Sequence, residues 1–119
     1  MSQEAAKFYE TWGGRMGAVK ARSPDLGRAF APFFQALMKE GALSVKQKEL
    51  IALGIGIAAR CEACVMTHVE KCLKAGATPQ EVMEAAGVAV MMGGGPAYTT
   101  TAKVVEALEY WEAKMPGAG

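Results

Sequence analysis

This chain of 119 residues is short of histidine, of aromatic residues and of charge of either sign. It has one histidine, an aromatic fraction of 8% and 13 basic against 12 acidic residues, with a formal net charge of +1. Without a basic block it lacks the electrostatic footprint that dominates nucleic-acid binding, so nucleic acid is excluded as a partner. No run reaches the roughly 18 uninterrupted apolar residues that a membrane-spanning helix needs, and the first residues, MSQEAAKFYETW, have neither a basic nor an apolar leader region. The expectation is a cytoplasmic protein with no membrane segment. Three cysteines are too few, and odd in number, for a disulfide scaffold. In a reducing compartment a C-x-x-C pair points instead to redox chemistry or metal.

Apolar residues are plentiful: 51% of the chain, with a mean hydropathy of +0.11. That exceeds what one small domain needs to fill its interior, so some apolar surface is expected to meet another copy. By length the chain, residues 1–119, is a single domain. No stretch alternates strictly enough for a strand, and the fold expected is all-α, with five or six helices.

Residues 3–21 suit a helix weakened in its middle by Gly13, Gly14 and Gly17. Ser23-Pro24-Asp25 reads as a capped helix start, and the helix it opens carries Leu26, Phe30, Phe33, Phe34 and Leu37 to near Gly41, with Pro32 inside it. These aromatics read as core or subunit contact. Ser44-Val45-Lys46-Gln47 is a capping box opening a helix to about Arg60. From Leu50 to Ala59 that helix is apolar all round, the pattern of a buried element. Gly54 and Gly56 lower its propensity, and close approach of a neighbouring helix is the compensation expected. Cys61 to Ala75 is the next helix, stopped by Gly76. Thr78-Pro79-Gln80-Glu81 is a second capping box, and its helix ends at Gly93-Gly94-Gly95-Pro96, a tight turn rather than a phosphate cradle because no lysine follows and no strand precedes it. A last helix runs from about Ala97 to Lys114, with a loose Pro116–Gly119 tail.

The chemistry concentrates between Glu49 and His68. Glu49 shares an inward stripe with Val45, Ala52, Leu53 and Gly56. Cys61, Cys64 and His68, spaced by three and four, fall on one face of the following helix. A free thiol, pKa about 8.5, is only slightly ionised at neutral pH. Cys61 at a helix N-terminus would gain anion stabilisation from unpaired N–H groups, and Cys64 lies one turn from an imidazole that could take its proton. Glu49 could orient that imidazole, as a third group orients the base in a triad. Residues i and i+3 in a first turn are near enough to close a disulfide after modest adjustment. Competing readings are a zinc site completed by Glu49 or Cys72, disfavoured because structural zinc draws on two separated ligand pairs, and plain packing of buried thiols, which leaves the histidine without a role. Cys72 is assigned to the core. Neither a metal nor an organic cofactor is expected.

Glu49, eleven intervening residues, then Cys61-x-x-Cys64-x-x-x-His68 resembles the signature of the AhpD-like superfamily, which includes the carboxymuconolactone decarboxylases. The resemblance continues through AGATPQEVMEA and MMGGGPAY, covering about Ser23 to Trp111. It implies an all-α fold, a homotrimer or homohexamer, and a thiol-dependent peroxidase or disulfide reductase. The substrate would be a hydroperoxide or a protein disulfide, and the partner a peroxiredoxin, a thioredoxin-like protein or a lipoyl protein. Carried over by position, Cys64 is the activated thiol, Cys61 its disulfide partner, and His68 with Glu49 the proton relay. The chain departs from AhpD proper at Ala63, where that group has histidine before the second cysteine. The decarboxylases resemble this fold without the cysteine pair, which makes lactone decarboxylation the secondary branch, beside a non-enzymatic redox sensor.

Overall fold

The computed structural model describes residues 3–115, so the expected Pro116–Gly119 tail lies outside it. Among the described residues there are six helices and no strand: α1 (Gln3–Arg22), α2 (Pro24–Met38), α3 (Val45–Ala58), α4 (Glu62–Lys74), α5 (Pro79–Gly93) and α6 (Gly95–Lys114). None is long and apolar enough to cross a membrane. The all-α expectation holds.

Both capping boxes form. Ser44 Oγ accepts from the Gln47 N–H at 3.1 Å while the Ser44 N–H donates to Gln47 Oε1 at 2.8 Å, and Thr78 and Glu81 repeat the exchange at 3.1 and 2.9 Å. Each box satisfies donors that the first turn of a helix otherwise leaves unpaired. Lys46 then reaches Glu81 at 3.0 Å, tying the starts of α3 and α5 together. The Glu81 carboxyl is held below its ordinary range by its hydrogen bond from the Thr78 backbone and by Lys46. Ser23 occupies the cap position before α2, but its hydroxyl makes no capping bond.

Helix α3 is the centre of the packing, lying against both α4 and α5, while α6 packs chiefly on those two. Leu53, Ile57, Val65, Met66, Val69, Val82 and Val104 are fully buried between these helices. Burying a side chain of this size is worth about 1.5–3 kcal/mol, which is why these four helices form the core. The first half of α1 docks on it through Phe8, Tyr9 and Trp12. Tyr9 stacks on Tyr110 at 4.9 Å between ring centres and donates its hydroxyl hydrogen to the Met66 carbonyl at 2.5 Å. Burial pushes the Tyr9 phenol well above its ordinary range.

Two helices leave apolar residues uncovered, which settles against the core for α2 and departs from the expected burial of α3. Helix α2 buries no residue, with Leu26, Phe30, Phe33 and Leu37 all more than half exposed. It stays attached through Lys48, which donates to the Leu37 and Lys39 carbonyls at 2.9 and 2.6 Å, and through the Lys71 ammonium 4.3 Å over the Phe34 ring. Helix α3, apolar all round, is covered on one side only: Ile51 and Ile55 are 50% and 65% exposed. An apolar side chain tells which surface avoids water but not whether its own chain supplies the cover.

Candidate functional site

The site is built at the junction of α3 and α4. Helix α3 ends in a Schellman motif: the Cys61 N–H bonds back to the Gly56 carbonyl and the Arg60 N–H to that of Ile57, both at 3.0 Å. The residue between helix and exit must adopt a left-handed conformation, and here it is Arg60, with φ 55°. Among the described residues no other non-glycine has a positive φ. For an L-residue that conformation costs about 1–2 kcal/mol. The motif reverses the chain so tightly that Cys61, its last member, is already the N-cap of α4, where its Sγ accepts from the Cys64 N–H at 3.2 Å.

Cys61 and Cys64 are joined as a disulfide, with S–S 2.12 Å and Cα–Cα 5.1 Å. Both are half-buried. The pair lies against α3 because Gly56 is a glycine: a Cβ there would stand 2.9 Å from Cys64 Cβ, inside any real contact. Gly54 has no comparable role, its nearest neighbour being 3.9 Å away. Of the two glycines expected to permit close approach, the one facing the thiols does so.

One turn along α4 from Cys64, His68 turns back to α3, and its Nδ1 lies 2.7 Å from Glu49 Oε1. Glu49 is the buried charged residue of the core. An ionised carboxylate only accepts hydrogen bonds, so in a pairing of that kind Nδ1 is the donor. The His68 side chain retains 16% of its exposure against 6% for Glu49, so the imidazole is the more accessible member of the pair. Of the residues singled out by spacing and by the resemblance, the structure joins Cys61 to Cys64 and His68 to Glu49, with His68 one turn beyond Cys64 on α4. Cys72, one turn beyond His68, is buried and unbridged. Burial, and secondarily the Glu49 carboxylate, pushes its thiol up to about 12. It stays protonated at neutral pH. Among the described residues no group of three or more His, Cys, Asp or Glu side chains is arranged to hold a metal ion. Ala63 lies half-buried in the first turn, its carbonyl accepting from Thr67 Oγ1 at 2.8 Å.

Two features escaped the sequence reading. Arg60 gives no signal, because arginine near a helix end is unremarkable and only the backbone angle sets it apart. The second is a groove of about 390 Å³ on the outer side of α3 and α5, lined among others by Ile51, Ile55, Val88 and Met92. Its apolar residues were legible, but their shared exposure was not.

The model of the carboxymuconolactone decarboxylase family matches residues 24–107. An uncharacterised protein of Cupriavidus necator is 31% identical over 83% of this chain and 85% of its own length. The crystal structure of a carboxymuconolactone decarboxylase family protein from Legionella pneumophila superposes with a TM-score of 0.85 at 34% identity, covering 92% of this chain and 97% of that one. A family protein of Thermotoga maritima, for which an involvement in antioxidative response has been suggested, gives 0.69 at 30% identity over 73% of this chain and 90% of that one.

Proposed function

The chain belongs to the carboxymuconolactone decarboxylase family, and from that premise we propose that it is a thiol-dependent peroxidase or disulfide reductase of AhpD type, acting as one domain in the cytoplasm. The observation that carries this reading is the 2.7 Å contact between His68 Nδ1 and Glu49 Oε1, placed one helical turn from a C-x-x-C disulfide. Packing alone gives no reason to bury a carboxylate at the imidazole of the chain's single histidine, since a buried charge is stabilised only by a well-placed partner.

In the reduced protein, His68 Nε2 takes the Cys64 proton and Glu49 balances the imidazolium that forms. The Cys64 thiolate attacks the outer oxygen of a hydroperoxide and the O–O bond breaks. An alcohol leaves with the proton returned by His68, and Cys64 is left as a sulfenic acid. The Cys61 sulfur then attacks Cys64, closing the disulfide and releasing water. A dithiol donor such as a thioredoxin-like or lipoyl protein returns two electrons and two protons by thiol–disulfide exchange. A protein disulfide, including that of a peroxiredoxin, enters by the same exchange without the peroxide step. Helix α4 favours the thiolate at Cys61 through its N-terminal N–H groups.

The test is mass spectrometry of reduced protein treated with hydroperoxide, followed by turnover with a dihydrolipoamide or thioredoxin-like donor. The expected result is a Cys61–Cys64 bridge that forms and is reduced repeatedly. A single oxidation without recycling makes the protein a sensor, and a bridge through Cys72 removes the mechanism. Decarboxylation of a muconolactone that survives loss of both cysteines moves it to the other branch.

The exposed apolar surfaces support assembly into a homotrimer or homohexamer. Phe30 and Phe33 on α2, and Ile55 and Met92 in the groove, are each more than half exposed, and a second copy of the chain is the cover this reading supplies. Light scattering at micromolar concentration checks it, and a stable monomer rejects it.

A further inference from the structure

Arg60 holds a position for which glycine is the natural residue. Its φ of 55° is set by the Schellman motif, not by its side chain, which takes part in no ion pair among the described residues. The next residue is Cys61. Arg60 and Glu62, on either side of that cysteine, line a cleft of about 230 Å³ together with Thr99, Thr100 and Lys103 of α6. Lys103 and the two threonines of this cleft are engaged, while Glu62 is mostly exposed and is approached, among the described residues, by Lys103 alone. Lys103 lies 2.6 Å from Glu4, 3.9 Å from Glu62 and 3.8 Å from Glu106, and both threonine hydroxyls donate to the Pro96 carbonyl at 3.0 and 2.9 Å. That leaves the Arg60 guanidinium as the cleft's uncommitted cation, with a planar set of donors suited to a carboxylate.

We propose that Arg60 is a specificity-determining residue that holds the carboxylate of a disulfide substrate in the cleft beside Cys61 while that substrate exchanges with the Cys61–Cys64 pair. This rests on the thiol–disulfide reading above. A strained backbone at the residue before a reactive sulfur, carrying a cation in no ion pair of the described residues, is accounted for by such a contact. Lys103, committed to Glu4, adds no second free charge to the cleft, so a substrate with a single nearby carboxylate is matched better than a neutral one.

The experiment compares two probes on the reduced full-length protein by stopped flow: dithiobis(nitrobenzoate), which carries carboxylates, and dithiodipyridine, which is neutral. With either, one cysteine thiolate displaces an arylthiolate from the probe. The second then closes the Cys61–Cys64 disulfide and releases the other arylthiolate, so the pair gives up two electrons and the probe gains them. Arg60→Gly and Arg60→Gln are expected to slow the carboxylate probe about threefold to fivefold, the range of one partly exposed charge contact, and to leave the neutral probe unchanged. Arg60→Lys should recover part of the loss, and salt should narrow the gap between wild type and variants. Equal slowing of both probes, a shifted pH profile with the neutral probe, or no change with either overturns the proposal, since each assigns Arg60 to the thiol or to nothing. An Arg60→Gly protein that melts below wild type also overturns it, by giving the side chain a structural role. The parent reading fails separately: it falls if Cys64 of the wild type shows an unactivated pH profile with the neutral probe, whatever the ratio between probes.

Discussion

Helices α3 and α4 leave the core by the same device with different residues. At the end of α3 the Cys61 and Arg60 N–H groups bond to the carbonyls of Gly56 and Ile57, and at the end of α4 those of Ala77 and Gly76 bond to the carbonyls of Cys72 and Leu73. The left-handed residue is Arg60 in the first case and Gly76, φ 98°, in the second. The junction after α4 has the residue that backbone energetics prefer, and it leads through an ordinary capping box into α5. The junction after α3 keeps a costly residue and runs without a linker into the cysteine pair. Where a turn only has to turn, glycine suffices, and a non-glycine residue there carries a backbone cost that the turn itself does not require.

The contrast is broken most directly at its chemical end. His68→Ala should slow peroxide turnover roughly 10²–10⁴-fold, the range for a lost general base, with Glu49→Gln costing less because the imidazole keeps part of its orientation. Both deficits should shrink at alkaline pH, where the thiol ionises unaided. Steady-state turnover together with the pH profile of Cys64 alkylation reads this, and unchanged profiles in both variants would reduce the first junction to a cap like the second.

Next in size is the close approach behind the thiols. Gly56→Ala puts a methyl group 2.9 Å from Cys64 Cβ, an atom fixed to the backbone, and should destabilise the protein by about 1–3 kcal/mol as overpacking does. Gly87→Ala on α5, with nothing within 4 Å, should instead stabilise it by up to about 1 kcal/mol. Urea titrations that rank the two alike would remove the packing account of Gly56.

The two left-handed residues give a smaller and opposite pair. Gly76→Ala should lower stability by about 1 kcal/mol, and Arg60→Gly should raise it by no more than that, because one substitution introduces the strain and the other relieves it. Thermal melts compare them directly, and a loss in both variants would show that Arg60 supports the fold.

An effect absent at neutral pH and confined to alkali concerns Cys72. Its folded thiol titrates near 12 against an ordinary 9.0, so the folded state holds the proton more tightly than the unfolded one. The stabilisation is full below about pH 9 and is lost as the pH rises toward 12. Urea midpoints measured across that window should fall less steeply for Cys72→Ala than for wild type, although the variant starts lower for lack of the sulfur's packing.

Much of this was legible in the chain itself. The helix starts at Ser44 and Thr78 were readable because a capping box is local, closed within four residues by groups the sequence names. Glu49 was readable as inward because it shares a helical stripe with Leu53 and Gly56, and all three are buried. Whether α2 met the core or another subunit stayed open for the converse reason: Leu26, Phe30 and Phe33 have the spacing of an apolar helix face, and only the fold shows that the chain itself places no partner over them.

Sequence by itself determined the helices, the two capping boxes and the spacing that puts Cys61, Cys64 and His68 on one helix face, because periodicity and capping act over one or two turns. Only the tertiary structure decided that His68 meets Glu49 across nineteen residues of chain, that Gly56 rather than Gly54 admits the thiols, which side of α3 stays open, and that Arg60 sits against its backbone preference. Each depends on where two helices cross and which backbone angle closes the turn between them, and those quantities are fixed by packing of the whole core rather than by neighbours in the chain.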